Sequence, residues 1–146
     1  MDRGYFIFAS GEQYLKMAYA LALSIKNTQQ INSVCVAVNE KDSVPQEYSA
    51  IFDHVVRIKN VGLKHAMANE WQIWDLTPYK ETIHVEADMI FNTNVDHWWD
   101  ELQKHELFFT SKVYDYRGNL AKSNFYRRHF DKMNLPKLYN GLYYFR

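Results

Sequence analysis

Glu86 and Asp88, two carboxylates one residue apart, stand where an apolar run of the chain ends. Residues 82–85, Thr-Ile-His-Val, are typical of a strand, which places both acids at its carboxyl end. Carboxylate oxygens suit hard divalent cations such as Mg²⁺ and Mn²⁺, which in phosphate chemistry are held by one or two acids and by the substrate's phosphates. The pattern predicts a cation bound together with a phosphate ester. A solvated acid pair where a strand surfaces is the competing interpretation, so the neighbouring elements must decide.

The composition is that of a folded domain without a strong electrostatic field. The chain has 146 residues, 47% of them hydrophobic, and 17 Lys plus Arg balance 17 Asp plus Glu. This length and apolar content suit one ordinary domain with a buried core. The balanced charge gives no indication of a nucleic acid or an anionic membrane as a partner.

The cysteine content and the N-terminus bear on location. Cys35 is the only cysteine and lies in the apolar run 34–38, which predicts a buried thiol in a reducing compartment. One cysteine permits neither a disulfide framework nor a cysteine metal site. No apolar stretch has the length of a signal-peptide core or of a membrane span. We therefore expect a cytoplasmic protein without a membrane span.

The first half of the chain alternates between strand-like and helical patterns. A strand at 5–9 precedes a helix of about four turns, for which Ser10 and Gln13 predict a capping box. The apolar residues that recur at helical spacing are Leu15, Ala18, Leu21, Ala22 and Ile25. A strand at 34–38, a short helix opening near Pro45 and a strand at 54–58 follow.

This βαβαβ order predicts an α/β fold with a mostly parallel sheet and helices on both faces. Ligands of such sheets bind beyond the carboxyl ends of the strands, where Ser10 and Glu86 both fall. The later elements predicted from the pattern are a helix at 68–76, the acidic strand, a helix at 95–104, a strand at 107–110, a loop at 114–119, a basic helix at 123–133 and a strand-like run at 138–146.

Several short motifs occur in an order that resembles a known group of enzymes. They are Phe8-Ala9-Ser10 with Tyr14, residues 74–79 running into Glu86-Ala87-Asp88, then Asn94-Val95-Asp96 and Tyr139-Asn140-Gly141. Together they resemble glycosyltransferases of the glycogenin and bacterial galactosyltransferase type, which form family 8. The similarity covers nearly the whole chain but only the N-terminal catalytic part of such an enzyme.

The resemblance implies a Rossmann-like nucleotide-diphospho-sugar transferase domain of the GT-A kind over residues 1–146, incomplete at its C-terminus. It also implies a hexosyltransferase activity, in which a sugar passes from a UDP-sugar to a hydroxyl acceptor with Mn²⁺ or Mg²⁺ as the cofactor. The residues implied by the resemblance are Glu86 and Asp88 for the metal, Ala9, Ser10, Tyr14 and Ala87 for the nucleotide, and Asn140 and Gly141 for the donor sugar.

Physical chemistry is compatible with these roles. Free N–H groups at a helix N-terminus attract phosphate or polar base atoms, and Tyr14, one turn into the helix, can offer its ring to a base. A plain cap at Ser10 and a core position for Tyr14 are the structural alternatives.

The chain departs from the family pattern at several positions. Glu86 stands where the family usually has an aspartate, Glu70 where a lysine meets the donor, and Leu142 where a glycine is expected. Lys64 is near enough in sequence to replace that lysine or to be an ordinary solvated residue. The family's third metal ligand, a histidine, comes from a segment beyond residue 146.

His84 shares a strand face with Glu86 and Asp88 by the period of two. Either the three form a local metal cluster, or His84 is a hydrogen-bonded histidine of the sheet, which is the commoner arrangement. Similarly, the Trp71–Trp74 and Trp98–Trp99 pairs are core residues by spacing, with sugar platforms as the alternative.

Two other functions remain compatible with the sequence. One is a non-catalytic relative that binds a nucleotide sugar without transferring it. The other is a metal-dependent phosphohydrolase that uses the same acids, although the first strand ends without a comparable aspartate.

Overall fold

The structure is a computed structural model that describes residues 2–60, 66–114, 117–120, 134 and 138–146. Strands and helices alternate along these residues. The strands are β1 (Arg3–Phe8), β2 (Val34–Asn39), β3 (His54–Ile58), β4 (Glu81–Glu86), β5 (Leu107–Thr110) and β6 (Tyr139–Phe145). The α-helices are α1 (Glu12–Thr28), α2 (Gln46–Ser49), α3 (Ile73–Leu76) and α4 (His97–Leu102), and a 3-10 helix over Ala66–Gln72 precedes α3.

The strands form one six-stranded sheet in the order β3-β2-β1-β4-β6-β5. β1 pairs in parallel with β2 and β4, and β2 pairs in parallel with β3, as the βαβαβ order predicts. β6 pairs in antiparallel fashion with both β4 and β5. The strand-like run at 138–146 is therefore an interior strand that joins the acidic strand β4 to the edge strand β5.

The alternation of side chains divides the core between the two faces of the sheet. The first face is covered by α1 and α4, and its buried strand residues are Tyr5, Ile7, Val34, Val36, Val38, Ile83, Val85 and Tyr144. The second face is covered by α3, and its buried strand residues are Phe6, Cys35, Ala37, Ile58, Tyr143 and Phe145. Since His84 and Glu86 alternate with Ile83 and Val85, they belong to the second face.

Helix α1 buries the five apolar residues expected from its periodicity, but its start differs from the prediction. Its N-cap is Gly11 at φ 83°, a left-handed conformation that favours glycine, and no side chain caps the helix. The capping box of Ser10 and Gln13 is wrong because Ser10 Oγ instead accepts a hydrogen bond from the amide of Asn39. The Gly11 N–H donates to Oδ2 of Asp42 at 3.0 Å.

The predicted helix at 68–76 is mostly a 3-10 helix, with only Ile73–Leu76 in the α conformation. The amide of Gln72 fixes this segment against β3, since Oε1 accepts from Lys59 N at 3.1 Å and Nε2 donates to Lys59 O at 2.7 Å. The predicted helix at 95–104 is shorter and covers His97–Leu102. Its N-cap residue, Asp96, makes no side-chain cap, and its carboxylate accepts hydrogen bonds from the backbone N–H groups of Gln30 and Ile31. Lys64 and the basic helix predicted at 123–133 lie outside the described residues.

The two tryptophan pairs have different environments. Trp99 is fully buried and Trp98 packs against the core, as predicted. The core prediction is wrong for Trp71 and Trp74, which are 54% and 44% exposed. Trp74 packs against Phe145, with ring centroids 4.1 Å apart and the ring planes tilted by 41°, while Ile73 takes the inward position of this short helix.

Cys35 is fully buried in β2, as the sequence predicts. Within the described ranges, no helix has both the length and the apolar character needed to cross a membrane.

Candidate functional site

A cavity of about 280 Å³ opens at the carboxyl ends of β1 and β4. It forms there because these two strands are parallel neighbours, with Phe8 in register with Glu86. Its lining residues are Phe8, Ser10, Tyr14, Glu70, His84, Glu86, Ala87 and Asp88. The structure thus brings the predicted metal acids together with three of the four predicted nucleotide residues, Ser10, Tyr14 and Ala87.

The fourth predicted nucleotide residue has another position. Ala9 is buried and lines a separate cavity of about 480 Å³, which also includes Gly11, Lys16, Asp42 and Tyr48. The backbone N–H of Ala9 is engaged with Ala37 O at 2.9 Å. The turn from β1 to α1 therefore contributes Ser10 to the first cavity and its two neighbours to the second.

Tyr14 projects from the start of α1 with 54% of its surface exposed. An exposed ring in the wall of a cavity can stack on a planar ligand, whereas a core residue cannot. The structure excludes the core alternative for Tyr14.

Glu86 is held by a residue from the neighbouring strand β6. The hydroxyl of Tyr139 donates a hydrogen bond to Glu86 Oε2 at 3.1 Å. Gly141 lies beside this pair, and a Cβ atom there would come within 2.5 Å of both Glu86 Oε2 and the Tyr139 hydroxyl. Gly141 therefore leaves the space that the hydrogen bond occupies, while the neighbouring Asn140 is exposed.

The sequence reasoning missed Tyr139 as the partner of Glu86. These residues are 53 positions apart, and only the antiparallel pairing of β4 with β6 brings them together. The strand-like pattern of the run that begins at residue 138 was the available signal that this segment could join the sheet.

The electrostatic environment of Glu86 favours a cation. Burial raises the pKa of Glu86 above its usual value. The hydrogen bond from Tyr139 opposes this rise, and the negative charges of Asp88 and Glu70 add to it. A bound cation would relieve the repulsion between these acids.

The donor set fits a metal shared with a phosphate ligand. Glu86 is half-buried and anchored, and Asp88 is exposed, so two carboxylates are available at the strand end. Across the described residues, no three His, Cys, Asp or Glu side chains are grouped so that they could hold a metal ion by themselves. The local cluster of His84, Glu86 and Asp88 is therefore not formed. Magnesium sites that use one or two carboxylates plus substrate phosphates match this arrangement.

His84 is not a fully hydrogen-bonded histidine either. Its Nε2 atom lies 3.0 Å from Glu70 Oε1, an ion-pair distance, without forming a hydrogen bond to it. Neither ring nitrogen has a hydrogen-bond partner within the part of the chain that the structure describes. The ring packs on Tyr143, with ring centroids 4.6 Å apart.

At the level of sequence, no family model and no curated protein matches the chain. Its structure is similar to that of the glycosyltransferase GlyE of Streptococcus pneumoniae, with a TM-score of 0.64, 13% identity, and coverage of 99% of this chain and 34% of GlyE. The apo form of GlyE matches with a TM-score of 0.58, 13% identity and the same coverage.

A second enzyme has a similar structure. The 4-diphosphocytidyl-2C-methyl-D-erythritol synthase of Anaerococcus prevotii matches with a TM-score of 0.53 and 10% identity, over 99% of this chain and 69% of the synthase. Of GlyE, in contrast, the chain spans only about a third of the length, 34%. These likenesses confirm the predicted fold: an α/β domain, with a six-stranded sheet flanked by helices, of the GT-A-like kind found in nucleotide-diphospho-sugar transferases.

Proposed function

We propose that the chain forms the donor site of a glycosyltransferase that binds a UDP-sugar with Mn²⁺ or Mg²⁺ and transfers a hexose to a hydroxyl acceptor. The observation that carries this proposal is the placement of Glu86 and Asp88 in one cavity with the exposed ring of Tyr14. The cavity lies at the carboxyl ends of parallel strands, where α/β sheets bind their ligands.

The nucleotide would occupy the side of the cavity formed by the β1–α1 turn. Tyr14 offers an aromatic face to the base from the first turn of the 17-residue helix α1. Ser10 and Ala87 line the same cavity and would contact the nucleotide between the base and the diphosphate.

The diphosphate would lie near the end of β4. Glu86, oriented by Tyr139, and the exposed Asp88 would hold the cation there. A bound Mn²⁺ or Mg²⁺ ion would supply Lewis-acid neutralisation of the charge that develops on the leaving diphosphate. Glu86 and Asp88 would hold the cation in position before the reaction. Such preorganised electrostatic stabilisation lowers the activation barrier.

The donor sugar would point toward β6. Asn140 is exposed at the start of this strand, and Gly141 is adjacent to the carboxylate of Glu86. An amide can both donate to and accept from sugar hydroxyls. Membership of family 8 is part of the same proposal.

Titration calorimetry with UDP tests the proposal. The wild-type chain should bind UDP in the presence of Mn²⁺ and bind it much more weakly in EDTA. Glu86→Gln and Asp88→Asn should each weaken the Mn²⁺-dependent binding by about tenfold or more, since each removes one charged ligand. Glu101→Gln on α4, which neutralises an exposed glutamate paired with Lys104, is the matched control and should bind as the wild type does. UDP binding that is unaffected by EDTA and by both acid variants would overturn the proposal.

A further inference from the structure

A third carboxylate faces the cavity from the 3-10 helix. The side chain of Glu70 is 18% exposed, and its Oε1 atom lies 3.0 Å from Nε2 of His84, whose side chain is 1% exposed. Both residues line the same cavity as Glu86 and Asp88. Glu70 approaches from the helical layer, whereas the other two acids belong to the end of β4.

His84 supplies independent evidence that a polar ligand belongs in this cavity. The buried Nδ1 atom of His84 has no hydrogen-bond partner among the described residues, and Nε2 has only its 3.0 Å contact with Glu70 Oε1. A buried polar group left unpaired is costly and uncommon in native proteins. A ligand with hydroxyl groups, which both donate and accept, could pair with the ring nitrogens of His84 and with the carboxylate of Glu70.

The charges determine which part of a nucleotide sugar can lie beside Glu70. None of the described lining residues is Lys or Arg, and three of them are Glu or Asp. A divalent cation held by Glu86 and Asp88 would bind the diphosphate, so the carboxylate of Glu70 is not needed for the metal. A phosphate beside Glu70 would be repelled, whereas a sugar hydroxyl would donate a charge-assisted hydrogen bond to it.

We propose that Glu70 forms the sugar subsite of the donor, where its carboxylate accepts hydrogen bonds from hydroxyl groups of a neutral hexose. This inference rests on the proposed function, because it assigns the hexose half of the UDP-sugar. Glu70 is then a specificity-determining residue, because its negative charge favours hydroxyl groups and repels anionic groups.

The test compares UDP with two UDP-hexoses in the wild type and in variants of Glu70. Binding of UDP and of two UDP-hexoses, UDP-glucose and UDP-galactose, is measured by calorimetry with Mn²⁺ for the wild type and for Glu70→Gln. We expect Glu70→Gln to weaken at least one UDP-hexose by about tenfold, the range of a lost hydrogen bond to a charged group, and to leave UDP within about twofold. Glu70→Asp keeps the charge but withdraws the carboxylate, and it should also weaken the UDP-hexose selectively.

Glu101→Gln is the control for loss of one negative charge, and equal melting temperatures establish that the variants are folded. Equal effects of Glu70→Gln on UDP and on both UDP-hexoses, or no effect on any of them, would overturn the sugar subsite while the proposed function stands. If the wild type binds neither UDP nor either UDP-hexose, the proposed function is overturned, and the sugar subsite with it.

Discussion

The hydroxyl of Tyr139 donates a hydrogen bond to Oε2 of Glu86, 3.1 Å away, across the antiparallel strands β4 and β6. Glutamate has one more methylene than aspartate, so its carboxylate can take more positions and reaches farther from the strand. Tyr139 restricts that freedom, and Gly141 keeps the space open. The C-terminal strand therefore positions one of the two acids at the end of β4.

Loss of the Tyr139 hydroxyl should weaken cation binding. In Tyr139→Phe the carboxylate of Glu86 loses its anchor, and its already raised pKa rises further. We expect the affinity for Mn²⁺ at saturating UDP to fall by about tenfold, as for a lost hydrogen bond to a charged group. The free Mn²⁺ signal in electron paramagnetic resonance measures this. Tyr114→Phe, at an exposed tyrosine, is the control, and equal Mn²⁺ affinity in both variants would contradict the positioning role.

A side chain at Gly141 should disturb both partners. The added Cβ of Gly141→Ala would meet Glu86 Oε2 and the Tyr139 ring at 2.5 Å, so these groups must move. We expect a loss of about 1–3 kcal/mol in the free energy of unfolding, as for other overpacked sites. Urea denaturation measures it, and Asn140→Ala, at the exposed neighbouring position, should change stability by less than about 0.5 kcal/mol. Equal stability of the two variants would contradict the steric account.

Cys35 should be unreactive in the native protein. Burial raises the pKa of its thiol to about 12, and the side chain is fully buried between strands of the sheet. Since the thiolate is the reactive form, we expect no labelling by iodoacetamide at pH 8 and complete labelling in denaturant. Mass spectrometry distinguishes the two states, and stoichiometric native labelling within minutes would contradict the burial.

Asp53 should stabilise the fold except in acid. Burial alone would raise the pKa of Asp53, but hydrogen bonds from Lys26 Nζ at 2.6 Å and Val34 N at 2.7 Å outweigh it and lower the pKa. A carboxyl with a lowered folded-state pKa contributes stability that is complete above its unfolded pKa of about 4 and is lost as the pH falls through the folded value.

Asp53→Asn should therefore lower the free energy of unfolding by about 1–2 kcal/mol at pH 7 and by much less at pH 2.5. Urea denaturation at the two pH values measures the difference, with Asp100→Asn, at an exposed position of α4, as the control. An equal loss in the free energy of unfolding at both pH values would show that the charge of Asp53 does not contribute to stability.

Much of the scaffold could be predicted because it depends on local pattern. The buried face of α1, the four parallel strands and the burial of Cys35 follow from periodicities that neighbouring residues set. The grouping of Ser10 with Glu86 also followed, since parallel strands end at the same edge of a sheet.

What could not be predicted depends on contacts distant in sequence. Ser10 was expected to cap α1, but Asn39 of β2 engages its hydroxyl. Trp71 and Trp74 lie three residues apart and share one face of the helical segment, but that face is exposed because Gln72 and Ile73 take the buried positions. Tyr139 reaches Glu86 only because β6 enters the sheet beside β4.

The most direct test of the donor site is a crystal structure of the chain grown with MnCl₂ and a UDP-hexose, with anomalous data collected at the manganese edge. We expect an anomalous peak between the carboxylates of Glu86 and Asp88, with the base on the ring of Tyr14 and the hexose beside Glu70. A nucleotide bound in the cavity that Ala9 and Lys16 line, or no manganese peak at these two acids, would contradict it.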